Sequence, residues 1–332
     1  MSHLKFFKDI SKKDVAIAGG KGASLGEMTK AKILVPPGFV VLASAFDRFI
    51  EETNLKEEIK ARLAEVDPED ANTVNKASNV LRDVIHDTPM PKDLQKEILE
   101  SFDKLGAEFV AVRSSATAED SAVASWAGEL ETFLNITRKN AVDAVRQCWS
   151  SLFTPRAIFY RHEKKLIDHY VSVAVVVQKM VQSEISGVAF TVHPVTEDPD
   201  QMIIEAGFGL GEAIVSGQIT PDSYIVTKSD LGILDINIGA QTQKLTKSKV
   251  RKSIKSVKTK SRNKIEDNGA NTWVKLGAEG EKQKLTGKQI IEAAKLFKKI
   301  EEHYGFPCDI EWALEKNKFY ITQSRPITTL KK

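Results

Sequence analysis

Asp309-Ile310-Glu311-Trp312-Ala313-Leu314-Glu315, then Lys316-Asn317-Lys318, then Phe319-Tyr320-Ile321-Thr322-Gln323-Ser324-Arg325, is the stretch from which the rest of the chain can be read. Its first run alternates, putting Ile310, Trp312 and Leu314 on one face of a strand and Asp309 and Glu311 on the other. The interruption contains Asn317, and asparagine tolerates the left-handed backbone of a three-residue hairpin loop. If Glu315 pairs with Phe319, Glu311 stands opposite Gln323 and Asp309 opposite Arg325, with paired Cβ atoms about 5 Å apart. One sheet face then carries two carboxylates, an amide oxygen and a guanidinium. Oxygen ligands suit Mg²⁺, and an arginine beside them suits the phosphates that the ion bridges. The alternative is a surface hairpin with a salt bridge, under about 1 kcal/mol. A slip of one residue would dissolve the cluster.

Upstream, residues 287–304 place Ile290, Ile291, Ala294, Phe297 and Ile300 on one helical face. Strand patterns run over 171–181, 187–192, 201–206 and 223–228. The first third reads as helices instead, at 45–66, 71–86 and 92–105, punctuated by Pro36-Pro37-Gly38 and residues 88–91. A short apolar strand at 109–112 feeds a polar loop at 113–125, and helices return at 141–153 and 155–166. These elements predict an α/β (α+β) chain of two subdomains, 1–180 and 181–330. The junction falls near 179–183, with a cleft between the parts.

Three further motifs suit phosphate. Gly19-Gly20-Lys21-Gly22 leads into a helix, where backbone can approach a ligand and the Lys21 ammonium adds charge. It is no Walker A loop, because the first glycine is missing and Gly22 occupies the Ser/Thr position. A helix-entry turn with an exposed lysine is the competing reading. Arg113 ends a strand ahead of Ser114, Ser115 and Thr117, well placed to fork onto phosphate oxygens. Downstream, Gly128 would let backbone approach the ligand and Thr132 could donate a hydroxyl bond. A Ser/Thr loop capping the next element explains the same residues. Finally, Gly207-Phe208-Gly209-Leu210-Gly211-Glu212 fails the dinucleotide spacing, since Glu212 sits where the last glycine belongs. It reads as a glycine loop closing over a nucleotide or as a plain strand-to-helix turn.

Composition narrows the classes. With 332 residues, 42% hydrophobic and 28% charged, the chain can bury a sizeable core. A net charge of +3 implies no polyanionic partner for the whole chain. The ten Lys and Arg within 244–264 lack interleaved aromatics and any nucleic-acid motif, so the segment reads as a solvated, mobile linker, with a nucleic-acid patch as the alternative. Cys148 and Cys308 have no Cys-x-x-Cys or Cys/His companion pattern and read as buried thiols of a reducing compartment. The six histidines show no metal spacing and none sits in a loop suited to carry a phosphoryl group. No apolar stretch could span a bilayer and no signal core is present at the N-terminus, so the expectation is a cytoplasmic chain without a membrane or nucleic-acid partner.

Together, GGKGASLGEM, AVRSSATAEDSAVASWAGELETFLNI, VAFTVHPVTEDPDQMIIEAGFGLGEAIVSGQITPDSY and HYGFPCDIEWALEKNKFYITQSRPIT resemble the ATP-binding domain of phosphoenolpyruvate synthase and its relatives, pyruvate phosphate dikinase and rifampicin phosphotransferase. The resemblance spans essentially the whole chain. It implies an ATP-grasp-like fold with ATP and Mg²⁺ held between two subdomains. It also implies a dikinase-type phosphotransferase half-reaction in which a phosphoryl group passes to a histidine. Carried over by position, Lys21 and Arg113 would hold phosphates, Gly128 and Thr132 would line the pocket, and Gln178 would contact the nucleotide. Glu311 and Gln323 match the metal ligands, Arg325 the phosphate-facing arginine, and Asp309 an active-site carboxylate. The family's phosphohistidine carrier and pyruvate- or phosphoenolpyruvate-type acceptor domains find no match, so they are expected in trans or removed by truncation. The rival readings are a rifampicin phosphotransferase-like enzyme and a nucleotide-binding module without transfer.

Overall fold

The computed structural model describes residues 2–117, 130–164, 171–248 and 271–330. The chain divides into two compact units, Met1–Glu27 with Pro37–Met180 and Met28–Pro36 with Val181–Lys332. The sequence division at 180/181 leaves 28–36 with the first part. The structure assigns them to the second, where the Leu34 carbonyl accepts from the Ile321 amide at 2.9 Å.

In the first unit, β1 (Leu4–Phe6), β2 (Gly38–Val41), β3 (Val110–Ala116), β4 (Thr132–Ile136) and β5 (Val173–Lys179) form an antiparallel sheet in the order β1-β2-β5-β3-β4. Among the described residues, seven α-helices belong to it wholly or in part: α1 (Val15–Lys30), α2 (Ala43–Glu52), α3 (Leu55–Ala64), α4 (Ala71–Asp87), α5 (Lys92–Leu105), α6 (Ala141–Ser150) and α7 (Pro155–Glu163). Strand alternation sorts the sheet into two faces. Phe39, Val41, Val110, Val112, Val173, Val175 and Val177 all join the helices' apolar cluster. Trp149 sits at its middle, with ring centroids 5.1 Å from Phe49 and 5.7 Å from Phe46. The intervening residues, Val40, Ala111, Arg113, Ser115, Val176 and Gln178, lie on the other face.

Two sequence expectations are corrected here. The helix expected over 45–66 is two helices, because Asn54 takes the left-handed conformation (φ 56°) and ends the run. The polar loop expected from 113 begins later. β3 carries Arg113 through Ala116 as buried strand, since Val173–Val176 of β5 pair with all four.

In the second unit, β6 (Ile185–Phe190), β7 (Gln201–Phe208), β8 (Asp222–Thr227), β9 (Ile233–Asn237), β12 (Cys308–Glu315) and β13 (Lys318–Pro326) form an antiparallel sheet in the order β13-β12-β6-β7-β8-β9. Between them fall the one-turn helix α8 (Glu212–Val215), the paired strands β10 (Gln243–Lys247) and β11 (Asn271–Lys275), and helix α9 (Gly287–Tyr304). α9 starts on a Thr286/Gln289 capping box and ends at Gly305, which is left-handed. Its Phe297 packs on Trp312 of β12 at 6.2 Å. Gly187 makes room for that indole, because a Cβ there would lie 2.5 Å from the ring and 1.8 Å from the Glu205 carbonyl. The Lys-rich segment, expected as a linker from 244, begins instead as strand. Residues 244–247 belong to β10, and 249–264 lie outside the described residues.

Candidate functional site

The Lys21 segment is shaped by a backbone break. α1 is interrupted at Gly19 (φ 67°, ψ 172°), a conformation essentially confined to glycine. The break rests on the end of β3, where a Cβ on Gly19 would lie 2.2 Å from Ser115 Oγ. Ser115 Oγ donates to the Ala18 carbonyl at 3.0 Å and accepts from the Gly22 amide at 3.4 Å. The turn of α1 bearing Lys21 therefore sits on the sheet face opposite the helical core, and Arg113 belongs to that same face, two residues before Ser115.

Arg113 lies directly across from Thr132 of β4 and Val176 of β5. Thr132 is exposed, whereas Arg113 is 9% exposed. Gln178 pairs with Ala111 of β3 and Gly38 of β2 and is buried on the same face. The intervening Ser114 points the other way. Its hydroxyl meets Ser151 Oγ at 2.9 Å and donates to the carbonyls of Cys148 and Glu131. Both oxygens of the Glu131 carboxylate accept from Arg82 Nη2, at 2.8 and 2.9 Å, which fixes the start of β4 beside Arg113. Lys21, Arg113, Thr132 and Gln178 are thus carried on one side of one sheet. Gly128 lies outside the described residues. A surface depression of this unit, bordered by Met90, Gln95, Leu99 and Arg146, contains none of them.

In the second unit, the closing hairpin pairs Glu311 with Gln323 and Asp309 with Arg325. The route to that register differs from the one expected. The loop has two residues, Lys316 (φ 51°) and Asn317 (φ 58°), and Glu315 pairs with Lys318 rather than Phe319. Two left-handed residues are what a two-residue hairpin turn of this twist requires. The ladder then shifts between Trp312, which faces Ile321, and Glu311, which faces Gln323, so Thr322 is the extra residue of a β-bulge.

Arg325 Nε and Nη2 both reach Asp309 Oδ2, at 2.8 and 2.7 Å. Burial pushes the Asp309 carboxyl up, the charge and hydrogen bond of Arg325 pull it part of the way back, and neighbouring Glu311 adds to the rise. Glu205 is the residue that sequence reasoning passed over. It sits on the same face, in the row Glu311–Val188–Glu205 across β12, β6 and β7. Burial raises its carboxyl and the Asp309 charge raises it further. Two strand spacings, about 10 Å, separate the backbones of Glu205 and Glu311. Its signal could not be seen before the strand order was known. Among the described residues no three His, Cys, Asp or Glu side chains gather closely enough to hold a metal. A carboxylate and an amide oxygen at Glu311 and Gln323 still fit Mg²⁺, which keeps several waters and takes phosphate oxygens rather than an all-protein cage.

Packing constrains two of the three glycines in the motif 207–211. Gly209 (φ 94°) lies against the Leu245 carbonyl of β10, 2.3 Å from where a Cβ would be, and Leu245 O accepts from the Leu210 amide at 2.9 Å. Ser183 and Ser186 both donate to the Gly209 carbonyl. Close packing accounts for Gly207 and Gly209, whereas a Cβ at Gly211 would meet only Ser186, at an ordinary 3.7 Å.

Comparison with known proteins follows the same lines. Residues 15–332 match the family described as pyruvate phosphate dikinase, AMP/ATP-binding domain. A probable phosphoenolpyruvate synthase of Methanocaldococcus jannaschii is 47% identical over 100% of this chain and 27% of its own length. A probable phosphoenolpyruvate synthase of Methanothermobacter thermautotrophicus is 42% identical over 99% and 46%, and the phosphoenolpyruvate synthase of Pyrococcus furiosus 41% over 99% and 44%. The chain thus spans less than half the length of these relatives. Among solved structures, a D-alanine-D-alanine ligase from Helicobacter pylori aligns over 77% of this chain and 54% of its own, at 11% identity and a TM-score of 0.29. No helix among the described residues is long and apolar enough to cross a membrane.

Proposed function

We propose, from the premise that this chain belongs to the pyruvate phosphate dikinase AMP/ATP-binding domain family, that it binds Mg·ATP in an ATP-grasp-like manner and passes a phosphoryl group to a histidine on a separate domain. In this reading the activity is the ATP-side half-reaction of a phosphoenolpyruvate synthase, with the carrier and acceptor domains supplied elsewhere. The relatives' names favour that enzyme over a rifampicin phosphotransferase.

Lys21 and Arg113 would neutralise phosphate oxygens. The guanidinium can fork onto two oxygens and the ammonium acts as a point charge. Thr132 would add a hydroxyl donor and Gln178 a nucleotide contact. Gly128, outside the described residues, is assigned on the resemblance alone. Glu311 and Gln323 would hold Mg²⁺, which would supply positive charge to offset that of the phosphates. Arg325 would face the phosphates while tied to Asp309, so its guanidinium is oriented before the ligand arrives. None of these groups attacks covalently. They act by alignment and charge, as phosphoryl transfer demands.

The observation that carries the reading is the alignment of Glu311 with Gln323 and of Asp309 with Arg325 across one pair of strands. The test is transfer of label from ATP to the remaining domains of a phosphoenolpyruvate synthase added in trans. Lys21→Ala and Glu311→Ala should each abolish labelling. Undiminished labelling in both variants would refute the assignment.

A further inference from the structure

We propose that Ser115 is a positioning residue for Lys21, its hydroxyl standing in for a broken helical hydrogen bond. The inference rests on the Mg·ATP reading above. In an unbroken α1 the Gly22 amide would donate to the Ala18 carbonyl, four residues back. Gly19 lies inside that turn, and its conformation (φ 67°, ψ 172°) pulls the two groups out of register. Ser115 Oγ occupies the gap, donating to Ala18 O at 3.0 Å and accepting from Gly22 N at 3.4 Å. A side chain inserted into the i→i−4 ladder is one of the few causes of a sharp helix break.

Ser115 is suited to the task by its own anchoring. It is fully buried and belongs to β3, paired with Ala174 of β5. Arg113 is two residues away on the same strand and face. One rigid strand therefore carries a candidate phosphate-binding guanidinium and, two residues on, the hydroxyl that holds the Lys21 turn. The spacing between the two cationic groups is set by β3 rather than by the turn. No Cβ is tolerated at Gly19 because it would occupy the place of Ser115 Oγ and its carbonyl. The serine and the glycine thus form one device: the glycine opens the ladder and the hydroxyl closes it again in a new geometry.

The experiment compares binding of Mg·ATP and AMP to the full chain by calorimetry, for wild type, Ser115→Ala, Lys21→Ala and the double variant. Losing one buried hydrogen-bonding bridge predicts about tenfold weaker Mg·ATP binding for Ser115→Ala. AMP, which lacks the outer phosphates, should change less than about twofold, which mere loosening of the fold would not produce. With Lys21 already replaced, Ser115→Ala should cost little more, because coupled residues are not additive. Unchanged Mg·ATP affinity, equal weakening of ATP and AMP, or additive losses would each overturn the proposal while leaving the nucleotide reading intact. Absence of ATP binding by the wild type would overturn both. Should Ser115→Ala not fold, hydrogen exchange on the wild type decides. The bridge predicts a protected Gly22 amide despite the break at Gly19, and rapid exchange there overturns it.

Discussion

Asp222→Asn should be the most damaging near-isosteric change in the second unit, for reasons that can be counted. The Asp222 carboxylate and the Lys284 ammonium are both fully buried and lie 2.8 Å apart. Each carboxylate oxygen accepts twice: Oδ1 from Lys284 Nζ and from the Gly239 amide at 3.0 Å, Oδ2 from the Tyr224 hydroxyl at 2.6 Å and the Lys284 amide at 2.8 Å. Burial, and then the bond to Asp222, push the Tyr224 hydroxyl above its usual range. Asparagine keeps the volume but removes the charge and turns one accepting end into a donor that faces other donors. The buried ammonium then loses its counter-charge and keeps the Gly239 and Gly280 carbonyls and the face of the Phe208 ring. Breaking a buried pair on one side costs about 3–5 kcal/mol. At about 2–4 °C per kcal/mol for a unit of this size, the melting temperature should fall by about 6–20 °C. Lys284→Met should cost less, because the carboxylate retains three donors. Differential scanning calorimetry of the full chain, fitted as separate transitions, reads both variants. A loss under about 1 kcal/mol for Asp222→Asn, or a reversed order between the two, would refute the reasoning.

Two other predictions follow from local geometry. Deleting Thr322 removes the bulge but leaves Gln323 directly after Ile321 and still opposite Glu311, so metal-dependent ATP binding should persist. Loss of Mg²⁺ dependence in a calorimetric titration would count against this account of the ladder. Cys148 and Cys308 are buried, and burial pushes both thiols up to about 12. A raised thiol stays protonated at pH 8, so iodoacetamide should label neither cysteine in the native chain and both in guanidinium, read by mass spectrometry.

What could be read from the residues alone was whatever repeats at a fixed period. The apolar face of α9 and the alternation of β12 are local, and Ile310, Trp312 and Leu314 face inward as their spacing demands. Arg113 was legible as a strand-end arginine, but not the continuation of β3 through Ser115. Serine-rich sequence reads as loop until a partner strand covers its edge, and β5 does so only through the fold. Glu205 was illegible for the same reason, because its neighbours on the face come from β6 and β12, far along the chain. The break at Asn54 went unseen because asparagine is tolerated both in a helix and in the left-handed region.

The hairpin shows that one set of paired residues can be reached by two different paths. A three-residue loop with a regular ladder and a two-residue loop with one bulge bring the same residues opposite each other beyond the shift. The second route serves both faces of β13. Before the bulge, Phe319 and Ile321 must point toward α9's side, opposite Leu314 and Trp312, to complete the core. A regular strand would carry that alternation onward and send Gln323 inward after them, opposite Ile310. The extra residue at Thr322 reverses the parity, so that Ser324 faces Ile310 while Gln323 and Arg325 join Glu311 and Asp309. Core packing and the polar cluster impose opposite phases on one strand, and a bulge is the least disruptive element that satisfies both.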